Sequence, residues 1–299
     1  FSWAPYNLGA MAVNVFFVLS GVMVSRSFAL QPNLRRFVAA RLLRIFPGLF
    51  VAALVTVLLI GPLAAEVPYA DFLAQPAAWT YPFRVLYDFA DAIIPYAFTH
   101  NLQLETNTPL WTIRYEVLAY AAFALVAWAG LANSRTAIGI GLIGAGYALF
   151  VLEAVPAYAP FLGSIVRFAF AFLVGMTAYR FANYLPLSVP LALAGLLVSL
   201  SISGLPGNRI VSILAFGYAG LALGSVRLPS LAYIRRHDLS YGLYLYGWPV
   251  QQAISHHIAW EGMWLLAHLT LALSLSAILA LASWHLVERP ALSLKKLWL

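Results

Sequence analysis

Residues 14–47 read NVFFVLSGVMVSRSFALQPNLRRFVAARLLRIFP, and this stretch decides the fold. An apolar run carrying Asn14 and the Ser20-Gly21 pair passes through a short basic loop into a second apolar run led by Arg41 and Arg44. A guanidinium at a hydrocarbon boundary is costly unless it snorkels, pairs or binds an anion. Arg26, Arg35, Arg36, Arg41 and Arg44 all fall here, so the stretch reads as two membrane spans joined at a charged mouth. Membrane topology or a phosphate-bearing ligand would each account for the cluster.

The rest of the chain has the same character. Of its 299 residues, 63% are hydrophobic and 9% charged, with mean hydropathy +0.86. Soluble domains carry about 25% charged residues, so one soluble core would not hide this much apolar surface. The fold class is all-α, a polytopic transmembrane helix bundle. The net charge of +7 is spread over short loops between apolar runs, which leaves no basic face for nucleic acid. Cysteine is absent, which excludes disulfides, thiolate metal sites and a thiol nucleophile.

A span needs about 20 mostly apolar residues, and breaks at Pro, Gly and charge clusters predict about nine of them. They fall at 8–25, 37–60, 109–131, 136–155, 161–179, 186–204, 209–226, 239–256 and 263–287. Nothing divides them into separate domains, so 1–299 reads as one integral-membrane domain. Residues 61–108 read as an ordered outer loop with short helices and aromatic interface anchors such as Trp79, Tyr81, Tyr87 and Tyr96. If the spans alternate, Arg26, Arg35, Arg36, Arg41, Arg44, Arg135, Arg180, Arg227, Arg235, Arg236, Arg289, Lys295 and Lys296 share one side. Arg84 and most acids, including Asp91 and Glu261, take the other, so the basic side is cytoplasmic and the C-terminus with it. The chain starts at Phe1 without an initiator Met, and an odd number of spans puts that end outside. Both features suggest an N-terminally truncated protein lacking one earlier span.

In the third span Thr108 reads as an N-cap and Pro109 as the first helical residue. Glu116 then lies about 10 Å along the helix, inside hydrocarbon, where an acid must face protein. Thr112, Glu116 and Tyr120 follow at intervals of four and form one polar stripe. Arg41 and Arg44 share a helical face, with Pro47 and Gly48 a turn further on. Paired guanidiniums suit a phosphate or pyrophosphate better than lysines do. Asn14, Ser20 and Gly21 lie in the first span, where helix packing is the plainer explanation. Residues 240–250, SYGLYLYGWPV, set Tyr241, Tyr244 and Trp248 on one face, with Pro249 as a kink. Glu288-Arg289-Pro290 reads as a charged helix stop, and no histidine pair has metal-ligand spacing in a polar cluster.

Taken in order, FFVLSG (16–21), Arg41-Leu-Leu-Arg44-Ile-Phe-Pro47, LWTIRYE (110–116), LSYGLYLYGWP (239–249) and SWHLVERP (283–290) resemble the membrane acyltransferase family 3. That family includes O-acetyltransferases of bacterial surface polysaccharides and peptidoglycan. The resemblance implies a bundle of about ten helices in the inner membrane. It also implies transfer of an acyl group from cytoplasmic acyl-CoA, a donor substrate and not a bound cofactor, to a glycan or other hydroxyl acceptor outside. By position, Arg41 and Arg44, with Arg36 beside them, match the arginines expected to hold the CoA phosphates. Glu116 matches the acid of the Leu-Trp-x-x-x-x-Glu motif, in a supporting catalytic role. Asn14, Ser20, Gly21, Trp111, Thr112, Tyr120 and Tyr244 would line the tunnel or the acceptor site.

Three departures stand out. Val22 replaces the usual Phe after Ser-Gly, and Gly247 stands where many members have His in Tyr-Leu-x-His-x-Pro. The family's first helix, with its histidine, has no counterpart here. Transfer to a hydroxyl wants a base of near-neutral pKa, usually histidine. His100, His256, His257 and His268 read as outer and His237 and His285 as inner, so this chain alone is expected to be inactive. A proton-coupled transporter or lipid-linked glycan flippase is the rival class, and it would favour internal symmetry that the sequence lacks.

Overall fold

The computed structural model describes residues 8–89, 93–154, 160–226, 238–258, 262 and 264–295. Of the residues invoked above, Phe1, Asp91, Arg227, Arg235, Arg236, His237, Glu261 and Lys296 lie outside them. The described residues are helical almost throughout. In chain order the helices are α1 (Leu8–Leu30), α2 (Leu34–Val55), α3 (Gly61–Leu63), α4 (Tyr69–Leu73), α5 (Pro76–Asp88), α6 (Ile113–Trp128) and α7 (Arg135–Ala154). They continue as α8 (Pro160–Arg180), α9 (Val189–Ser201), α10 (Asn208–Ser225), α11 (Ser240–His257), α12 (Trp264–Ser283) and α13 (Arg289–Ser293). π-Helical turns at Thr56–Ile60 and Trp284–Glu288 join α2 to α3 and α12 to α13.

Each stretch expected to span contains a helix, yet among the described residues six segments are long and apolar enough to cross a membrane. They are Leu8–Leu30, Leu34–Leu63, Thr108–Trp128, Arg135–Glu153, Phe161–Arg180 and Trp264–Ser293. The other three fall short for physical reasons. Helix α9 has 13 residues, about 20 Å of rise against about 30 Å of hydrocarbon. Helix α10 carries Asn208, Arg209 and Ser212, and α11 carries Gln251, Gln252, His256 and His257, which dilute their apolar runs.

The chain resolves into two compact units. One comprises Phe1–Phe37 and Tyr115–Leu228, the other Val38–Arg114 and Pro229–Leu299. In the first, α1 packs on α8 through opposed glycines. A Cβ at Gly21 would lie 2.1 Å from the Phe172 carbonyl oxygen, and one at Gly175 would lie 1.9 Å from that of Val18. Small residues thus bring the two backbones into contact, as helices in lipid require when apolar burial gives little drive. Gly217 and Gly220 of α10 meet Val18 and Val15 of α1 in the same way. Phe17 stacks on Phe168 at 4.3 Å between ring centres, closing this core. Gly175→Ala should lower stability in detergent by about 2 kcal/mol, because the backbones must separate. Gly144→Ala, whose Cβ would meet nothing within 4 Å, should leave the unfolding midpoint unchanged or raise it, which thermal unfolding of both variants checks.

In the first unit, Asn33 Oδ1 accepts from the Arg36 amide at 3.0 Å and starts α2 after Pro32. Helix α2 runs on through Pro47. Helices α11 and α12 meet closely at Gly242, whose Cβ would sit 2.7 Å from the Ala280 Cα. In the second unit, the segment 61–108 carries short helices as expected and buries its own Phe72, Phe98 and Tyr81, the last expected as an interface anchor. Its end is tied to α11 by side chains. Asn101 Nδ2 donates to the Gln252 carbonyl at 2.8 Å, and Gln252 Nε2 donates to the carbonyls of Gln103 and Glu105 at 2.7 and 2.8 Å.

The start of the third span differs from the sequence reading. Residues Thr108–Thr112 form a 3₁₀ turn capped by Asn107, and the α-helix begins at Ile113. Asn107 Nδ2 donates to the Leu245 carbonyl at 2.9 Å, so its side chain fixes the loop to α11 instead of closing the helix end.

Candidate functional site

Among the described residues of the second unit, Arg44 is a cation held between two acids. Its guanidinium reaches two carboxylates, Asp238 Oδ2 at 2.9 Å and Glu288 Oε2 at 3.3 Å. It also lies over the Tyr241 ring, 5.1 Å from the centre, and Tyr241 donates its hydroxyl to the Ile45 carbonyl at 2.8 Å. Ser283 Oγ donates to Glu288 Oε1 at 2.9 Å. Gly48 leaves room for this arrangement, since a Cβ there would meet Tyr241 Cε1 at 2.9 Å and Glu288 Cγ at 3.4 Å.

Glu288 therefore corrects the sequence reading of a simple charged helix stop. It is 1% exposed, and its acceptors are satisfied by a guanidinium and a hydroxyl, which is what a buried carboxylate needs. The π-turn Trp284–Glu288 shifts the helix register at this point, a distortion common at functional sites. The signal was present in the sequence as an acid at the end of an apolar span, where a cation must answer it. The partner lies 244 positions away, so spacing alone does not reveal it. Asp238 was not singled out, because a charged residue just before a helix is commonplace.

The other predicted arginines are placed as follows. Arg41 is half-buried on α2 in the second unit. Arg36 belongs to the first unit, half-buried in the opening turn of α2.

Glu116 lies in α6, in the first unit, 8% exposed. Tyr120 donates its hydroxyl to Glu116 Oε1, so two members of the expected stripe are joined. The third, Thr112, belongs to the second unit, where its hydroxyl pairs with the Tyr244 hydroxyl at 2.7 Å. Tyr244 also donates to the Pro109 carbonyl. Trp111 is half-buried in the same 3₁₀ turn.

Arg167 was missed, although its position seven residues into an apolar span was the signal. It is half-buried on α8 with its guanidinium 4.3 Å from the Phe168 ring centre. Tyr115, beside Glu116, packs against the same Phe168 ring at 5.1 Å. The first unit thus holds an acid and a cation on two helices whose neighbouring residues touch.

Of the predicted first-span lining, Asn14 and Ser20 are buried, and Gly21 is taken up by the contact with Phe172. Asn14 Oδ1 has no hydrogen-bond partner among the described residues.

In the second unit, His100 Nε2 lies 2.8 Å from Glu66 Oε1, and the His100 ring stacks near His256 with centres 6.1 Å apart. His257 Nε2 lies 2.7 Å from the Leu63 carbonyl oxygen. The sequence did not bring His100 to this pair, because a loop carries it there. Among the described residues no group of three or more His, Asp or Glu is placed to hold a metal ion.

A family model described as "Acyltransferase domain" matches residues 1–286. The chain is 28% identical over 298 residues to an "O-acetyl transferase" of Shigella phage Sf6, covering 95% of this chain and 85% of that protein. It is 26% identical over 312 residues to "Nodulation protein 10" of Rhizobium leguminosarum bv. viciae, covering 96% and 83%. No solved structure matches.

Proposed function

The chain belongs to this acyltransferase family, and we propose that it moves an acyl group, acetyl first among them, from cytoplasmic acyl-CoA to a hydroxyl of an extracytoplasmic glycan. The reaction class is O-acyl transfer within a multi-pass membrane protein. In this reading the protein lies in the bacterial inner membrane with its C-terminus cytoplasmic.

The observation that carries it is the fixed guanidinium of Arg44 on the helix that also bears Arg41. A nucleotide-tailed thioester presents phosphates, and forked guanidinium contacts recognise phosphate best. In the transfer itself, the acceptor oxygen bonds to the thioester carbonyl carbon, the carbon–sulfur bond breaks, and the hydroxyl proton ends on the thiolate or a base. Glu116, held by the Tyr120 hydroxyl, takes a supporting part in the reaction. The positive-inside bias supports a cytoplasmic donor face.

Full-length protein in liposomes, given radiolabelled acetyl-CoA and isolated envelope glycan, tests the reading. Release of CoA with label in the glycan is the expected result. Movement of lipid or solute without CoA release would support a transporter or flippase instead.

A further inference from the structure

The two carboxylates on Arg44 are not equivalent. Glu288 is 1% exposed, receives a hydrogen bond from Ser283 and packs against Gly48. Asp238 is 39% exposed and lies just before α11, where Ser240 Oγ donates to its Oδ1 at 2.7 Å. One arm of the guanidinium is therefore anchored inside the helix packing. The other arm faces an anion that water can reach.

We propose that Asp238 is a built-in stand-in for a donor phosphate, so that acyl-CoA binds by displacing the Asp238 carboxylate from Arg44 while Glu288 holds the other arm. This rests on the reading of Arg44 as a donor-phosphate residue and deepens it. The chemistry of the position favours exchange. Asp238 lies closer to the guanidinium than Glu288 does, 2.9 against 3.3 Å, so an anion oxygen is already accommodated at full hydrogen-bonding distance on the exposed side. A phosphate offers the same oxygen geometry with more charge. Swinging Asp238 away costs less than moving Glu288, because a half-exposed carboxylate regains water as it leaves the ion pair. Moving Glu288 would strand a buried charge. Glu288 is thus a positioning residue and Asp238 an internal competitor. Among the described residues, the node carries one positive and two negative groups, which disfavours other anions at the arginine.

Removing an acid should therefore tighten donor binding. In the full-length protein, Asp238→Asn should lower the Kd for acetyl-CoA by about fivefold, as expected when a like charge beside a bound anion is neutralised. Asp238→Glu should restore the wild-type Kd, which a merely structural role for residue 238 would not require. Arg44→Gln should weaken acetyl-CoA binding, and in that background Asp238→Asn should have no further effect. If Arg44→Gln weakens binding but Asp238→Asn leaves Kd unchanged or raises it, the stand-in role is overturned and the donor role of Arg44 survives. If Arg44→Gln binds acetyl-CoA normally, the donor role itself fails and the stand-in role falls with it. Should Arg44→Gln not fold, Asp238→Asn decides alone, because its exposed carboxylate can be neutralised without emptying the core.

Discussion

Arg44→Ala is expected to lower folding stability by about 3–5 kcal/mol, the cost of leaving a buried carboxylate without its partner. Glu288 is nearly fully buried, and Arg44 supplies the cation it faces. Truncating Arg44 strands that charge inside a helix packing where the Ser283 hydroxyl still donates to it. Glu288→Gln alone should cost less, because an amide still accepts from Ser283 and carries no charge to strand. The double variant Arg44→Ala/Glu288→Gln should therefore recover much of the loss, giving a coupling of about 1–3 kcal/mol in a double-mutant cycle. Thermal or denaturant unfolding of the four proteins in detergent measures it. Strict additivity would show that the pair contributes nothing across α2 and the end of α12. The consequence for function is practical. A loss of activity in Arg44→Ala mixes folding with donor binding, so Asp238, whose carboxylate water can reach, is the better probe of the donor.

Glu116→Gln is expected to cut turnover by about 100-fold while changing donor KM little, the size of effect seen when a positioned acid or base is neutralised. The amide keeps an oxygen for the Tyr120 hydroxyl, so local packing survives. What it removes is the charge. An ionisable group in the hydrocarbon region is functional by default, and Glu116 at 8% exposure is well inside protein. Tyr120→Phe should cost less, about tenfold, since it loosens the carboxylate without discharging it. Steady-state kinetics with labelled acetyl-CoA reads both. A Glu116→Gln protein with normal turnover would place Glu116 in packing alone.

Long apolar runs made the helices legible, because within one such run only a helix satisfies its own backbone groups in lipid. The short helices of 61–108 were legible from the prolines that punctuate that segment. The Gly21 contact was foreshadowed by the Ser20-Gly21 pair, but its partner Phe172 lies on α8, far along the chain, where spacing does not reveal it. What the sequence hid was long-range pairing. Arg44 was visible as a cation and Glu288 as an acid, and nothing in their spacing joined them. The same holds for Asn101 and Asn107, whose amides are directed at α11 and look like ordinary loop residues. Thr108 was a sound N-cap by type, yet tertiary demand on Asn107 and a 3₁₀ start displaced it. Arg167 was legible by depth alone and was passed over because its span is otherwise so apolar.

The most direct test of the central claim compares acetyl-CoA with S-acetylpantetheine, the same thioester without the nucleotide phosphates, as donors for the full-length protein. If arginines of α2 hold the donor by its phosphates, acetyl-CoA should show a KM lower by about 100-fold or more, and Arg41→Gln should narrow that gap by raising the acetyl-CoA value only. Equal KM values for the two donors, with or without Arg41, would contradict it.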